Sequence, residues 1–151
     1  MPKDRIICFG DVIDDVVAIP AGPVRDDTDT PADITFTAGG SAANTAAWLG
    51  SLGAAVDFVG TVGTADVARH TEALPGVVAH LAASHLPTGT IVVVVQGQSR
   101  TMLTQRGANR ALDSSQVTDD LLAEAAVLHI TGHVLLNDAG LSDLIRRATA
   151  A

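Results

Sequence analysis

Three polar side chains and a pair of glycines carry the clearest chemistry in this sequence: Asp11, Asp15 and Asn44, with Gly39-Gly40 just ahead of the asparagine. Adjacent glycines free the backbone for angles that a Cβ forbids and let another group approach closely. A helix-forming run follows them. It puts Asn44 in a first turn, where unpaired backbone N–H groups favour an electron-rich ligand. The Asn44 carboxamide both donates and accepts, which suits a sugar hydroxyl. The same stretch also fits an ordinary strand-to-helix turn with Ser41 as N-cap. Asp11 and Asp15 follow Arg5-Ile6-Ile7-Cys8-Phe9-Gly10, an apolar run closing on a glycine. The C-terminal ends of such strands are where open α/β sheets place their ligands.

The elements that must hold these groups follow from composition and periodicity. A chain of 151 residues fits one domain with a substantial core. Apolar residues make up 47% and aromatics 3%, which favours an α/β protein whose buried strands read as Val/Ile runs. Strands are expected at 5–10, 16–19, 56–60 and 126–130, with the clearest at 89–95, β-branched almost throughout. Residues 34–37 alternate as a half-buried strand does, and Gln96-Gly97-Gln98-Ser99 predicts a hairpin turn returning through 101–104. Helices are expected from Ser41 to Leu52, closing on Gly53, from Asp66 to Ala73, from Ser114 or Ser115 to Glu124, and from an Asp138 cap to about Ala148. Residues 77–84 carry no decisive period. The alternation predicts an α/β fold with a largely parallel central sheet. The short strands near 15–19, 34–37, 90–95 and 101–104 predict a small β-sheet lid inserted within a single domain over 1–151.

Several function classes fall away. A net charge of −8 with no basic cluster argues against nucleic acid or an anionic membrane as partner. Cys8, the one cysteine, lies in an apolar run and reads as a buried, inert thiol in a reducing cytoplasm. Neither a signal-peptide pattern nor an apolar run of spanning length is present, so a soluble cytoplasmic protein is expected. His129 and His133 flank a strand end rather than share a helix face, and no metal site is expected. His70, His80 and His85 read as surface residues, Trp48 as core, and Asp14 as a surface or lid residue. No Gly-x-Gly-x-x-Gly follows the first strand, no Walker-type loop exists, and no local pattern supplies a base to Ser41.

Gly10-Asp11 with Asp15, Gly39-Gly40-x3-Asn44, Leu52-Gly53, Gly60-x-Val62-Gly63-x2-Asp66, Pro87-Thr88-Gly89 and Arg106-Gly107-Ala108-Asn109 fall in one order and spacing. Together they resemble the ribokinase-like (PfkB-type) carbohydrate kinases over nearly the whole chain. The resemblance implies an α/β sandwich with a β-sheet lid and ATP-dependent phosphorylation of a sugar or sugar-like alcohol, with Mg²⁺. It also implies that Asp15 and Asn44 hold substrate hydroxyls, that Gly39 and Gly40 lie beside the sugar as a lid hinge, and that Asp11 sits near the same pocket. Lids that pair into a homodimer are a further possibility it raises.

The departures are equally informative. The family's Asp-Thr-x-Gly-Ala-Gly-Asp type segment, which carries the catalytic base, does not occur here. The nucleotide-binding loops of the family belong to the same C-terminal half. The sequence is therefore expected to supply the sugar-and-lid half of a kinase, truncated after that half, with no catalytic residue of its own and no turnover alone. Arg69 stands where many members carry glycine, and Gly132 where some place a substrate-binding glutamate. The rival reading is a non-catalytic sugar-binding or interaction module.

Overall fold

The computed structural model describes residues 4–136 and 140–151. Its body is a parallel sheet of β1 (Arg5–Phe9), β4 (Val56–Gly63), β5 (Val77–Ser84) and β8 (Ala125–Ile130), in the order β5-β4-β1-β8. Side chains alternate across a strand, so β1 sends Ile7 and Phe9 to one face and Cys8 to the other. Ile7, Phe9 and Val59 pack against Leu122 and Leu144 from α3 (Asp119–Glu124) and α4 (Leu141–Ala150). On the opposite face Cys8, Val56, Phe58 and Val62 meet Ala42, Ala43 and Ala46 of α1 (Ser41–Ser51) and Leu74, which follows α2 (Val67–Glu72). Burial pushes the Cys8 thiol up to about 11, which keeps it inert.

The second sheet, the one expected as a lid and called so below, comprises β2 (Ile13–Pro20), β3 (Ala32–Gly39), β6 (Gly89–Gln96) and β7 (Ser99–Gln105), in the order β3-β2-β6-β7. Its central pair, β2 and β6, is parallel; both outer pairs are antiparallel. The small sheet expected from sequence is therefore present.

Several expectations need correction. β4 does not stop at Gly60 but runs buried to Gly63, because it is a central strand paired to β5 along its whole length. The stretch 77–84 is β5, an edge strand of the body. The helix expected from Ser114 to Glu124 is broken: a 3-10 turn at Ser114–Gln116 is followed by extended, fully buried Val117, and Thr118 then caps α3 by accepting from Leu121 N. β3 is exposed on both faces, with Phe36 79% exposed, because no helix layer covers the lid's edge. Trp48 is no core residue: it is 72% exposed, since α1 buries only its alanine stripe. His70 is no surface residue, being 1% exposed. The expected Asp138 cap lies outside the described residues.

One charge set stabilises the end of the body sheet away from the lid. Arg5 Nε donates to Asp57 Oδ2 at 2.6 Å, and His80 Nε2 lies 2.8 Å from Oδ1. Burial pushes the Asp57 carboxyl up, but the hydrogen bonds and charges of Arg5 and His80 outweigh it and hold it below the ordinary value. A depressed folded value contributes stability above the unfolded carboxylate value, and that contribution is lost as pH falls through the folded one. Asp57→Asn is therefore expected to flatten the acid limb of stability below about pH 4, read by denaturant melts across pH. An equally steep limb in the variant would contradict this assignment.

Candidate functional site

The site forms where β1 ends, the lid begins and α1 starts. Asp11, buried just past β1, turns its carboxylate onto the first turn of α1: Oδ2 accepts from Ser41 N at 2.8 Å and Oδ1 from Ala42 N at 3.4 Å. Thr131 Oγ1, beyond the end of β8, donates to Oδ1 at 3.1 Å. A carboxylate at a helix N-terminus satisfies orphan donors and complements the dipole. Ser41 is accordingly not the N-cap; Gly40 holds that position, and Asp11 supplies the acceptor from 30 residues upstream. Gly40 has φ 104°, and a Cβ there would lie 2.5 Å from Asp11 O, so both conformation and space require glycine.

Asp15 lies within β2, opposite Thr37 of β3 and Ile91 of β6. Its carboxylate rests against Gly39, where any Cβ would collide with Oδ2. Burial, followed by the charges of Asp14 and Asp11, pushes the Asp15 carboxyl above its ordinary value. Among the described residues neither Asp15 oxygen accepts a hydrogen bond, whereas both oxygens of Asp11 are engaged.

Two adjoining hollows meet here. The larger, of about 560 Å³, is lined by Asp14, Asp15, Phe36, Thr37, Arg69 and Thr90. The smaller, of about 30 Å³, is lined by Val12, Gly39, Asn44 and His70 among others. They share Ala38 and Ala73. The structure thus brings Asp15 onto Gly39, Gly39 and Asn44 onto one hollow, and Asp11 behind the Gly40–Ser41 turn. The exposed Asn44 side chain is free of the helix ladder, while its backbone N–H donates to Gly40 O at 2.9 Å.

Sequence reasoning missed the groups that brace this arrangement. Asn109, 3% exposed, grips the link between β1 and β2: its Oδ1 accepts from Val12 N at 3.2 Å and its Nδ2 donates to Val12 O at 2.8 Å. Arg69 of α2 crosses to the lid, donating from Nη1 and Nη2 to the two oxygens of Asp14 at 2.7 and 2.8 Å. The neighbouring His70 has Nε2 3.2 Å from Asp14 Oδ1, close enough for a charge contact but without hydrogen-bond geometry. Burial pushes the His70 pKa down. The Arg106-to-Asn109 motif and the departure at Arg69 were visible in the sequence, but neither carried this role there.

Among the described residues no three His, Cys, Asp or Glu side chains gather as a set able to hold a metal ion. No helix among them is long and apolar enough to cross a membrane.

With a parallel body sheet, a mixed lid sheet and a glycine-lined cleft between them, the chain belongs to the pfkB family of carbohydrate kinases, whose model matches residues 3–151. Its fold is similar to that of part of ribokinase from Giardia lamblia, with a TM-score of 0.82 at 22% identity over 97% of this chain and 51% of that one. Fructokinase with bound ATP from Xylella fastidiosa aligns at 0.74 and 26% identity, covering 99% and 50% of the two chains. Adenosine kinase from Sinorhizobium meliloti aligns at 0.79 and 23% identity, covering 99% and 54%. The chain spans about half the length of these structures. Comparison with curated protein sequences found no match.

Proposed function

We propose that this chain is the sugar-binding and lid half of an ATP-dependent kinase that phosphorylates a hydroxyl of a sugar or sugar-like alcohol. The observation that carries the proposal is that Asp15, on strand β2 of the second sheet, rests against Gly39, which lines one hollow together with Asn44 of α1. A carboxylate accepts from hydroxyls without ambiguity, and a carboxamide both donates and accepts, so together they fix a polyol's orientation. Phosphoryl transfer depends mainly on positioning and charge stabilisation, and these residues supply the first. Gly39 makes room for the Asp15 carboxylate, Gly40 lets α1 start close against the Asp11 backbone, and the Asp11 carboxylate ties the first turn of α1 to the end of β1.

ATP as phosphoryl donor is supported by the family and by the ATP-bound fructokinase likeness. No residue here is assigned to ATP or to removing the hydroxyl proton, so the 151 residues alone are expected to transfer no phosphate. Robust ATP-dependent sugar phosphorylation by this chain alone would overturn the half-kinase reading. The exposed apolar side chains of the lid, Phe36, Met102 and Leu103, support pairing of lids between two copies, for which sedimentation equilibrium is the test.

The binding proposal is tested by calorimetry with a panel of sugars and nucleosides. Asn44→Ala is expected to cost about 1–3 kcal/mol of affinity for whichever ligand binds. Unchanged affinity in that variant would remove Asn44 from the site.

A further inference from the structure

Arg69 lines the larger hollow, yet its charge is already committed. Nη1 and Nη2 meet both oxygens of Asp14, and Nη2 also donates to Asp66 Oδ1 at 2.8 Å. Asp66 is fixed in turn, because Thr88 Oγ1 donates to its Oδ2 at 2.6 Å while accepting from Gly63 N at 3.0 Å. An unengaged arginine in such a cleft is the natural fork for phosphate or carboxylate. Here one guanidinium faces Asp14 and Asp66, with Asp15 on the same hollow. Burial pushes down the pKa of His70, whose Nε2 lies 3.2 Å from Asp14 Oδ1, which disfavours a second cation there. The local field is therefore negative, and a concave wall of low polarisability concentrates it.

We propose that Arg69, locked by Asp14 and Asp66, determines specificity by withholding its charge, so that the hollow takes uncharged polyhydroxy substrates and rejects those carrying phosphate or carboxylate. The proposal rests on the sugar-binding reading above and names the substrate class for that site. A like charge brought into such a field is disfavoured strongly enough to separate two otherwise matching ligands.

The test is calorimetry on the full 151-residue chain with matched probes. D-ribose and D-fructose are compared with D-ribose 5-phosphate and D-fructose 1-phosphate, and D-gluconate serves as the carboxylate probe. The uncharged member of each pair is expected to bind roughly tenfold tighter or better at low salt, with the gap narrowing as salt rises. Asp14→Asn, which releases one partner of Arg69, should shift the ratio toward the phosphates. Arg69→Gln, which removes the cation and leaves the carboxylates, should shift it the other way. A residue serving only to hold the lid would move both ligands together and leave the ratio unchanged, and that result overturns the proposal. Phosphates binding as well as the neutral sugars in the unaltered protein would overturn it while leaving the sugar-binding reading intact. If no probe of either kind binds, both fall.

Discussion

Replacing Asn109 with alanine is expected to lower the free energy of unfolding by about 2–4 kcal/mol. Asn109 satisfies both the N–H and the C=O of Val12, which is 1% exposed and has no water to turn to. Deleting the carboxamide strands two buried backbone groups at once, and each costs its own desolvation penalty. Asn109→Asp sharpens the test. It keeps an acceptor for Val12 N but sets a carboxylate against the carbonyls of Val12 and Arg106, so it should be at least as damaging. Urea midpoints of the two variants decide the matter. An Asn109→Ala variant within about 0.5 kcal/mol of the parent would show that the clamp contributes little.

Asp15→Ala is expected to weaken sugar binding by about 10–100-fold, the loss of one or two charge-assisted hydrogen bonds. The contact between Asp15 and Gly39 supplies an internal control. Gly39 does not have a positive φ, so alanine there is opposed by the Asp15 carboxylate rather than by its own backbone. Gly39→Ala should therefore displace Asp15 and weaken the sugar to a similar degree, at some expense in stability. Combining it with Asp15→Ala removes the colliding oxygen, so the stability loss should be relieved and the two changes should be non-additive. Simple additivity in denaturation and calorimetry would mean that the two residues do not share a space.

The parts of the fold legible in the sequence were those whose signal is local. The run from Gly89 to Val95 can be little else than a strand, and α1 is bounded by Gly39-Gly40 ahead and Gly53 behind. The Gly39-Gly40 turn and the position of Asn44 in the first turn of α1 were legible for the same reason, since turn chemistry and helix polarity act over a few residues. What was not legible depends on partners far along the chain. Asp11 caps a helix 30 residues on, and Arg69 meets Asp14 from 55 residues away. Asn109 grips a backbone 97 residues away. Trp48 was misplaced by residue type alone. At about 100° per residue it lies roughly 200° around the helix from Ala46, outside the buried stripe. His70 was misplaced for the opposite reason: a polar ring was assigned to solvent although the descent of Asp14 from the lid gives it company in the interior.

The lid is joined to the body along a single line. β2 starts at Ile13, β3 ends at Gly39, β6 starts at Gly89 and β7 ends at Gln105. Ile13 stands opposite both Gly39 and Gly89, and Thr90 opposite Gln105, so these ends lie side by side. Four crossings in one row make a cantilever, fixed at its root and unattached by covalent chain at its far rim. An eight-residue strand reaches about 26 Å, so a tilt of about 10° at the root sweeps the rim through roughly 4–5 Å. Such a stroke is comparable with the thickness of a sugar ring, and a tilt at the root would deliver it without parting one rung of the ladder.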